Sequence, residues 1–430
     1  MKNIASLCVV VLLLVFGSSC SRSLFVGELS DYEEDIQTLQ GRLVNNPSDA
    51  AALRDLGAIY LNARQFAEGN TYLERAFAIN PDDAKTLFNL GLANETLAKR
   101  ETALRLYEKY VTVPRTSPYR RLMEGRYEWL TQRMLKDQMK QLAEQEPLDT
   151  ATTSPRIVAV FPFIYHGADD KYAPLARGLA ELVSVDLANV SAIRVVERVR
   201  LQSLLDELAL SESQYMDEAT APRIGKMLGA GRLVSGGYNV VGKNNLRLDG
   251  AYTALETSSF FPLNEQSDAL RNLFVMQKAF VFNLINELGV ELSPDERSKI
   301  EFIPTENLQA FIAYSRGLRE EDAGAYGLAA GFYRRASQLD EGFSEASLRA
   351  ETAEAMAEAD KSLEEMIAEA SEADAPSASG LDLMGIRIGI LNNAIGSGFV
   401  PGEDAREPAS ESGGGAVLLR DPPIPPNPNN

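Results

Sequence analysis

The sequence is poor in the residues that most often ligate metals or form disulfides. It has only two cysteines, Cys8 and Cys20, both within the first twenty residues, and a single histidine, His166. Neither cysteine can form a structural disulfide if that segment is processed. A His/Cys metal cluster needs more ligands than the chain offers. We therefore predict that the protein holds no metal and no cofactor.

Positive charge is also scarce. The 42 lysines and arginines face 61 acidic residues, which gives a formal net charge of −19. Such a chain repels phosphate backbones, so we predict that it has no nucleic-acid partner. Apolar residues make up 45% and charged residues 24% of the 430 residues. This composition is typical of soluble globular proteins, and the length is sufficient for two or three domains.

The common catalytic and phosphate-binding motifs are missing from the sequence. It contains no GxGxxG, no GxxxxGK[ST] and no GxSxG. The pair Asp169-Asp170 follows His166 and Gly167, a pattern more typical of a solvated loop than of a metal or acid site. We therefore predict that the protein is not an enzyme.

The longest apolar run lies at the N-terminus and is short. It covers residues 4–16 after the basic Lys2, whereas a membrane-spanning helix needs about 20 residues. This pattern predicts a signal peptide over residues 1–19. Small residues at 17–19 precede Cys20, an arrangement that resembles the lipobox of bacterial lipoproteins. The alternative is a plain secretory signal that is cleaved near Ser19.

The lipobox resemblance implies cleavage before Cys20 and acylation of its thiol and of the new amine. Cys20 would then anchor the protein in a membrane through lipid, and residues 20–30 would form a lipidated tether. Ser21 stands where an aspartate would imply retention in the inner membrane. The resemblance thus favours the outer membrane, with the protein facing the periplasm.

A 34-residue period appears in residues 31–146. Leu56-Gly57 recurs as Leu90-Gly91, a spacing that resembles the tetratricopeptide repeat. The resemblance implies pairs of helices that approach closely at these glycines. We expect residues 31–46 to be the second helix of a partial repeat and residues 120–146 to be a long capping helix.

The first helices of such repeats form a concave face. Here that face would carry Arg54, Asn62, Phe88, Asn89 and Leu92. One interpretation is a groove that binds an extended peptide or a helix of a partner protein. The other is a face that only packs and meets solvent.

A linker at residues 147–155 leads to a middle domain at residues 156–298. Its apolar segments alternate between the periods of strands and helices. The predicted strands are 156–164, 195–196, 233–241, 246–257 and 259–263, and helices are predicted at 174–190, 221–228 and 269–288. A further helix is predicted to follow the pair Glu197–Arg198, with Leu201, Leu204, Leu205 and Leu208 on one face. This order predicts a mixed sheet with helices packed on it. Glu197 and Arg198 are expected to flank a strand end, with a partner contact as the alternative.

Four stretches of this domain together resemble the curli-secretion lipoprotein (CsgG/HfaB) family, which has a TolB N-terminal-like fold. They are VAVFPF at 158–163, PLARGLAELV at 174–183, VVERVRLQSLLDELAL at 195–210 and GKMLGAGRLVSGGY at 225–238. The resemblance implies a periplasmic α/β domain that serves secretion or assembly of surface material. Pore-forming members carry two long additional hairpins. Residues 238–267 suffice only for the strands of the sheet itself, so we expect no channel.

The C-terminal part returns to a helical pattern at residues 299–372. Residues 306–346 resemble one more tetratricopeptide unit, and residues 345–372 are expected to continue as one capping helix. Because single repeats rarely stand alone, this unit should pack on the α/β domain or on a partner. Residues 381–390 suit either a strand or a short helix, and residues 373–430 are predicted to be a low-complexity, mostly disordered tail.

The sequence thus predicts a multidomain protein of the α and α/β classes. The leading hypothesis is a non-enzymatic, lipid-anchored scaffold that binds protein partners through its helical repeats. The α/β domain is a candidate surface for self-association as a homo-oligomer. The alternative is an accessory or pore subunit of a curli-like outer-membrane secretion system.

Overall fold

A computed structural model describes residues 28–144, 153–210, 220–242 and 244–372. Its helices are α1 (Glu33–Asn45), α2 (Ala50–Asn62), α3 (Phe66–Ile79), α4 (Ala84–Thr96), α5 (Arg100–Tyr107), α6 (Pro118–Glu144), α7 (Leu175–Ala188), α8 (Arg198–Glu207), α9 (Thr220–Leu228), α10 (Leu273–Glu287), α11 (Pro294–Glu301), α12 (Leu308–Asp322), α13 (Tyr326–Leu339), α14 (Ser344–Ala359) and α15 (Leu363–Glu372). Its strands are β1 (Ser154–Val160), β2 (Ile164–Tyr165), β3 (Arg194–Val195), β4 (Ala230–Val241), β5 (Asn245–Ala254), β6 (Ser259–Pro262) and β7 (Gln266–Ala269). The predicted fold class, a multidomain protein of the α and α/β classes with a mixed sheet in the middle of the chain, is confirmed. The signal segment, Cys20 and the tail lie outside the described residues.

The described chain forms two compact units. The first contains residues 28–120 together with residues 361–372, and the second contains residues 121–360. The sequence predicts a helical domain at residues 31–146, an α/β domain at 156–298 and a C-terminal helical unit at 299–372 that packs on the α/β domain or on a partner. Most of α6 and all of α12–α14 belong to the same unit as the sheet.

Two helical hairpins, α2/α3 and α4/α5, make up most of the first unit. Their first helices begin at Ala50 and Ala84, 34 residues apart, as the sequence period requires. Each of these helices has an aspartate at its N-cap. The Asp49 carboxylate accepts the amide of Ala52 at 3.0 Å, and the Asp83 carboxylate accepts the amide of Thr86 at 2.9 Å. These caps satisfy amides that have no partner within the helix.

Glycine lets the two helices of each hairpin approach closely. A Cβ atom on Gly57 would meet the side chain of Leu73, and a Cβ atom on Gly91 would meet the ring of Tyr107. Leu73 and Tyr107 are both fully buried, so neither can move aside without disturbing the core. The recurring glycine is therefore a packing requirement of the hairpin.

The sheet of the second unit has the order β3-β1-β4-β5-β6. β1 runs parallel to both β3 and β4, while β4, β5 and β6 are antiparallel neighbours. β2 continues along β4 after β1, and β7 pairs with β5. This is the mixed sheet that the sequence predicts.

Residues of β1, and Phe161 directly after it, alternate between two cores. Val158 and Val160 belong to a core with α7, α10 and α12–α14, whereas Ala159 and Phe161 belong to a second core with α8, α9 and the end of α6. The sheet is therefore covered by helices on both faces. The C-terminal helices share the first core, as a lone repeat unit requires.

The structure divides two predicted elements and contains one strand that the sequence does not predict. The strand predicted at 156–164 is divided into β1 and β2, because Pro162 has no amide hydrogen to donate to a neighbouring strand. β7 was not predicted. The single helix predicted at 345–372 is wrong, since it breaks at residues 360–362 into α14 and α15.

Contacts with α6 and a capping box explain the break between α14 and α15. The buried guanidinium of Arg126 donates to the carbonyl of Ala359 at 2.7 Å, and the indole of Trp129 donates to the Asp360 carboxylate at 2.9 Å. Ser362 and Glu365 then form a capping box, with the Ser362 hydroxyl accepting the Glu365 amide at 3.2 Å. One helix is terminated and a new one begins.

We predict that Gly91→Ala destabilises the first unit by about 1–3 kcal/mol, because the new methyl group clashes with a buried ring. Gly41→Ala is the matched control. Gly41 lies in α1 with nothing near its Cβ position, so alanine should stabilise that helix by about 0.5–1 kcal/mol. Amide hydrogen exchange of α4 measures the first change. Equal protection of α4 in wild type and Gly91→Ala would contradict the packing argument.

Candidate functional site

The five residues predicted to bind partners all lie on α2 and α4. We call the surface of these two helices the first-helix face. Arg54 and Asn62 are half-buried on α2, whereas Phe88, Asn89 and Leu92 are buried on α4.

Arg54 is engaged in ion pairs on this face. Its guanidinium lies 2.9 Å from the carboxylate of Asp55 and 3.5 Å from that of Asp83. The ammonium of Lys85 also contacts Asp55, at 3.0 Å. Burial raises the pKa of Asp55, but hydrogen bonds and charge from Arg54 and Lys85 outweigh burial and hold that pKa below its usual range. These pairs connect α2 to the start of α4.

Phe88 contributes to the core of the first unit. Its ring centroid lies 6.2 Å from that of Tyr107 and 5.9 Å from that of Tyr119. A buried hydrogen bond also joins the two hairpins, because the Asn94 amide donates to the side-chain oxygen of Asn70 at 3.0 Å. The sequence marks Asn94 only as a departure from the aromatic residue usual at that position, so this contact was not predicted.

The second unit contains a buried cluster of charges that no motif in the sequence marks. We call it the Arg198 cluster. Its members come from four helices: Arg177 and Glu181 (α7), Arg198 (α8), Glu321 and Asp322 (α12), and Glu345 and Arg349 (α14).

Arg198 lies at the centre of this cluster. Its guanidinium forms ion pairs with Glu321 and Asp322, and its Nε lies 3.5 Å from the carboxylate of Glu181. Arg177 donates to the other oxygen of Asp322 at 2.8 Å. Helices α7, α8 and α12 are thereby joined through a single side chain.

Arg349 connects α14 to Glu181 and Glu321, two of the carboxylates that pair with Arg198. It lies 3.3 Å from Glu321 and 3.2 Å from Glu345, and it also pairs with Glu181. The Tyr333 hydroxyl donates to Glu321 at 2.6 Å. The buried carboxylates of the cluster are therefore paired with cations, as burial of charge requires.

The pKa values of two carboxyl groups move in opposite directions. Burial raises the pKa of Glu321, but the positive charges of Arg198 and Arg349 outweigh burial, and the net pKa is lowered. Burial also raises the pKa of Glu345, and there Arg349 does not fully compensate, so the net pKa is raised. The two arginines thus favour the charged form of Glu321 more than burial disfavours it, whereas at Glu345 burial has the larger effect on the pKa.

The cluster places charges at unfavourable helix ends. Arg198 is the first residue of α8, near the positive end of the helix dipole, and Asp322 is the last residue of α12, near the negative end. Pairing between the two ends offsets both penalties. Because the partners are 124 residues apart in the chain, no local pattern in the sequence could reveal the pair.

Helix α7, which carries Arg177 and Glu181 of the Arg198 cluster, also takes part in a second buried ion pair, with α10. The ammonium of Lys278 on α10 contacts the two carboxylate oxygens of Asp186 at 2.8 and 2.9 Å, and Gln277 donates to Asp186 at 2.8 Å. Burial raises the pKa of Asp186 despite these contacts. Helix α7 is thus fixed by charge on both sides, to α10 and to the Arg198 cluster.

The other charged residues considered from the sequence are placed on the surface. The exposed carboxylate of Asp169 pairs with Lys171 at 2.6 Å, which lowers its pKa. Among the described residues, no group of three histidine, cysteine or acidic side chains has the arrangement needed to hold a metal ion. In the same part of the chain, no helix is both long and apolar enough to cross a membrane.

The middle of the chain is similar to a known protein family. Residues 137–246 match the sequence profile of the family described as "Curli production assembly/transport component CsgG". The match begins in the last two turns of α6 and ends at the start of β5. The predicted resemblance of the α/β domain to this family is confirmed over these residues. The matched segment includes Glu181 and Arg198 but not their ion-pair partners on α12 and α14.

One solved structure similar to this chain is the C-terminal domain of LpoB from Salmonella enterica. It is 17% identical, with a TM-score of 0.22, and the alignment covers 30% of this chain and 95% of that chain. The search of curated proteins finds no match.

We predict that Arg198→Met destabilises the second unit by about 3–5 kcal/mol, because it leaves buried carboxylates without their cation. Arg247→Met, which removes an exposed pair with Glu265, is the control and should cost no more than about 1 kcal/mol. Trp129 is the only tryptophan and lies in the second unit, so its fluorescence during urea unfolding reports on this unit.

The destabilisation should also depend on pH. In wild type the folded-state pKa of Glu321 is lowered, so its stabilising contribution is present above the unfolded pKa and is lost as pH falls through the folded pKa. Without Arg198 that pKa rises, and protonation relieves the unpaired charge. The stability gap between wild type and Arg198→Met should therefore narrow from pH 7.5 to pH 5. A gap that widens would contradict this cause.

Proposed function

We propose that the protein is a non-enzymatic, lipid-anchored scaffold of the bacterial cell envelope that faces the periplasm and binds protein partners through its helical repeats. The observation that carries the proposal is the joining of a CsgG-like α/β domain to helical hairpins in one chain. The matching family is described as a component for production, assembly and transport. Helical hairpins are a common platform for binding peptides and helices.

The hairpins support the repeat part of the proposal. The 34-residue spacing of α2 and α4, and the close approach at Gly57 and Gly91, fit tetratricopeptide units. Helices α12 and α13 supply a further hairpin, with Gly317 against the ring of Tyr333. The C-terminal hairpin shares its hydrophobic core with the α/β domain, so the hairpin and this domain are packed together.

Membrane attachment is proposed to use lipid on Cys20, with residues 1–19 removed as a signal peptide. The apolar run at residues 4–16 is too short to span a bilayer, and small residues precede the cysteine. Two or more acyl chains make an anchor that is effectively stable. Ser21 favours delivery to the outer membrane.

We predict that Cys20→Ser abolishes incorporation of labelled palmitate and releases the protein from the membrane fraction. Cys8→Ser is a matched control, because Cys8 is the only other cysteine and lies in the segment proposed to be removed. It should leave labelling and fractionation unchanged. Labelling that persists in Cys20→Ser, or is lost equally in both variants, would exclude this anchor.

Partner binding is tested by site-specific photo-cross-linking in intact cells that make the full chain. A photoreactive residue at Asn62 or at the exposed Leu328 of α13 should give an adduct of defined mass with an envelope protein. The same residue at the exposed Glu265 between β6 and β7 is the comparator and should give none. Absence of adducts at both helical positions, together with a strictly monomeric protein after mild extraction, would reject the scaffold.

The alternative is an accessory or pore subunit of a curli-like secretion system. The family description, which includes transport, favours it. The connections between β4 and β7 argue against a pore. They are only three or four residues long, which leaves no room there for additional membrane hairpins. Ring-shaped oligomers that conduct ions in planar bilayers would decide for the pore.

A further inference from the structure

The first-helix face is covered in the structure. No residue of α2 or α4 is exposed, and nine consecutive residues of α4, from 86 to 94, are buried. The second helices of the same hairpins, α3 and α5, each keep several exposed residues. Nine buried residues span two and a half helical turns, so they include every side of α4. Something must therefore lie on the side that faces away from the hairpin partners.

The covering element is α15, a segment from the far end of the described chain. It packs against both α2 and α4 and belongs to the same compact unit. Leu363, Met366, Ile367 and Ala370 follow the i, i+3, i+4, i+7 spacing of one helix face. Met366, Ile367 and Ala370 are buried and Leu363 is half-buried. α15 therefore docks as an amphipathic helix with a single apolar stripe.

The start of α15 is encoded locally, but its stability is not. The Glu365 carboxylate accepts the amide of Ser362 at 2.8 Å, which completes the capping box that begins the helix. The helix has only ten residues, and isolated helices of fewer than about 12–15 residues are marginal in water. α15 thus depends on the first-helix face to stay helical. A helix of this kind is suited to reversible docking.

We propose that the first-helix face is a binding site for a short, acidic amphipathic helix of a partner protein, and that α15 occupies this site as an internal competitor. This inference rests on the proposed function and adds the chemistry of the ligand. The ligand should carry apolar side chains of the size of Leu, Met, Ile and Ala at the spacing seen in α15. Like α15, whose ten residues include four glutamates and no lysine or arginine, it should be acidic.

Occupation by α15 has a measurable consequence. A segment of the same chain acts at an effective concentration on the order of millimolar, without any change in its contacts. An external helix with the same stripe must compete against it and binds with reduced apparent affinity. We expect removal of the α15 stripe to tighten binding of an external α15 peptide by at least about tenfold.

The test uses the full chain and a fluorescein-labelled peptide of residues 361–372. Fluorescence anisotropy should show saturable binding to the Met366→Glu/Ile367→Glu variant and at least tenfold weaker binding to wild type. Val275→Glu makes a similar apolar-to-acidic change at an exposed position of α10, and it should behave as wild type. A peptide that carries the two glutamate substitutions should bind to neither protein.

Two results would overturn the inference. One is a variant with unchanged circular dichroism and thermal melting that does not bind the peptide. The other is wild type that binds the peptide as tightly as the variant. Both results are measured with the labelled α15 peptide, so they do not depend on whether an envelope partner exists. Absence of cross-linked partners would count against the proposed function alone.

A second experiment avoids any effect of the substitutions on folding. A protease site is inserted between Asp360 and Lys361, and the folded full chain is cleaved. At nanomolar concentration the fragment that begins with α15 should dissociate, as seen by native mass spectrometry, and the labelled peptide should then bind. A fragment that stays bound, or a vacated face that binds no peptide, would contradict reversible occupation.

Discussion

The guanidinium of Arg198 is surrounded by the carboxylates of Glu181, Glu321 and Asp322, and none of these four groups is stable when buried alone. Apolar packing would tolerate small shifts of one helix along another. Paired charges do not, because each carboxylate must stay within reach of its cation. The cluster therefore sets the register of α7, α8, α12 and α14 at the same time, and the rest of the second unit is built around that arrangement.

This constraint explains why the C-terminal hairpin belongs to the unit that contains the sheet. Glu181 and Arg198 lie inside the part that matches the CsgG family, and Glu321 and Arg349 lie beyond it. A lone hairpin exposes too much apolar surface to be stable by itself. Here that surface forms a common core with α7 and α10, in which Phe274 packs edge-on against Phe311. Charge fixes the orientation and apolar burial supplies most of the stabilisation.

The sequence predicts well whatever repeats or alternates locally. The strand at 156–164 and the helix at 174–190 appear as β1 with β2 and as α7, and the 34-residue period appears as the start of α2 and α4. It predicts poorly what depends on distant partners. The buried charges follow no periodic pattern in the sequence. From sequence alone Arg198 is therefore interpreted as a residue at a strand end, and only the structure shows that it pairs with α12. The break at residues 360–362 depends likewise on Arg126 and Trp129, which are far away in sequence.

The candidate partner residues illustrate the same limit. Sequence periodicity locates Phe88, Asn89 and Leu92 on the correct helix, but it does not reveal that the helix is buried on every side. A signal was present nonetheless. The α4 sequence AKTLFNLGLANET places apolar residues around its whole circumference, and a helix of that kind needs neighbours all round. Its hairpin partner α5 and the preceding hairpin, α2 and α3, leave one side of α4 uncovered, so the composition of α4 itself requires a further helix. The apolar stripe of α15 meets that requirement within the same chain.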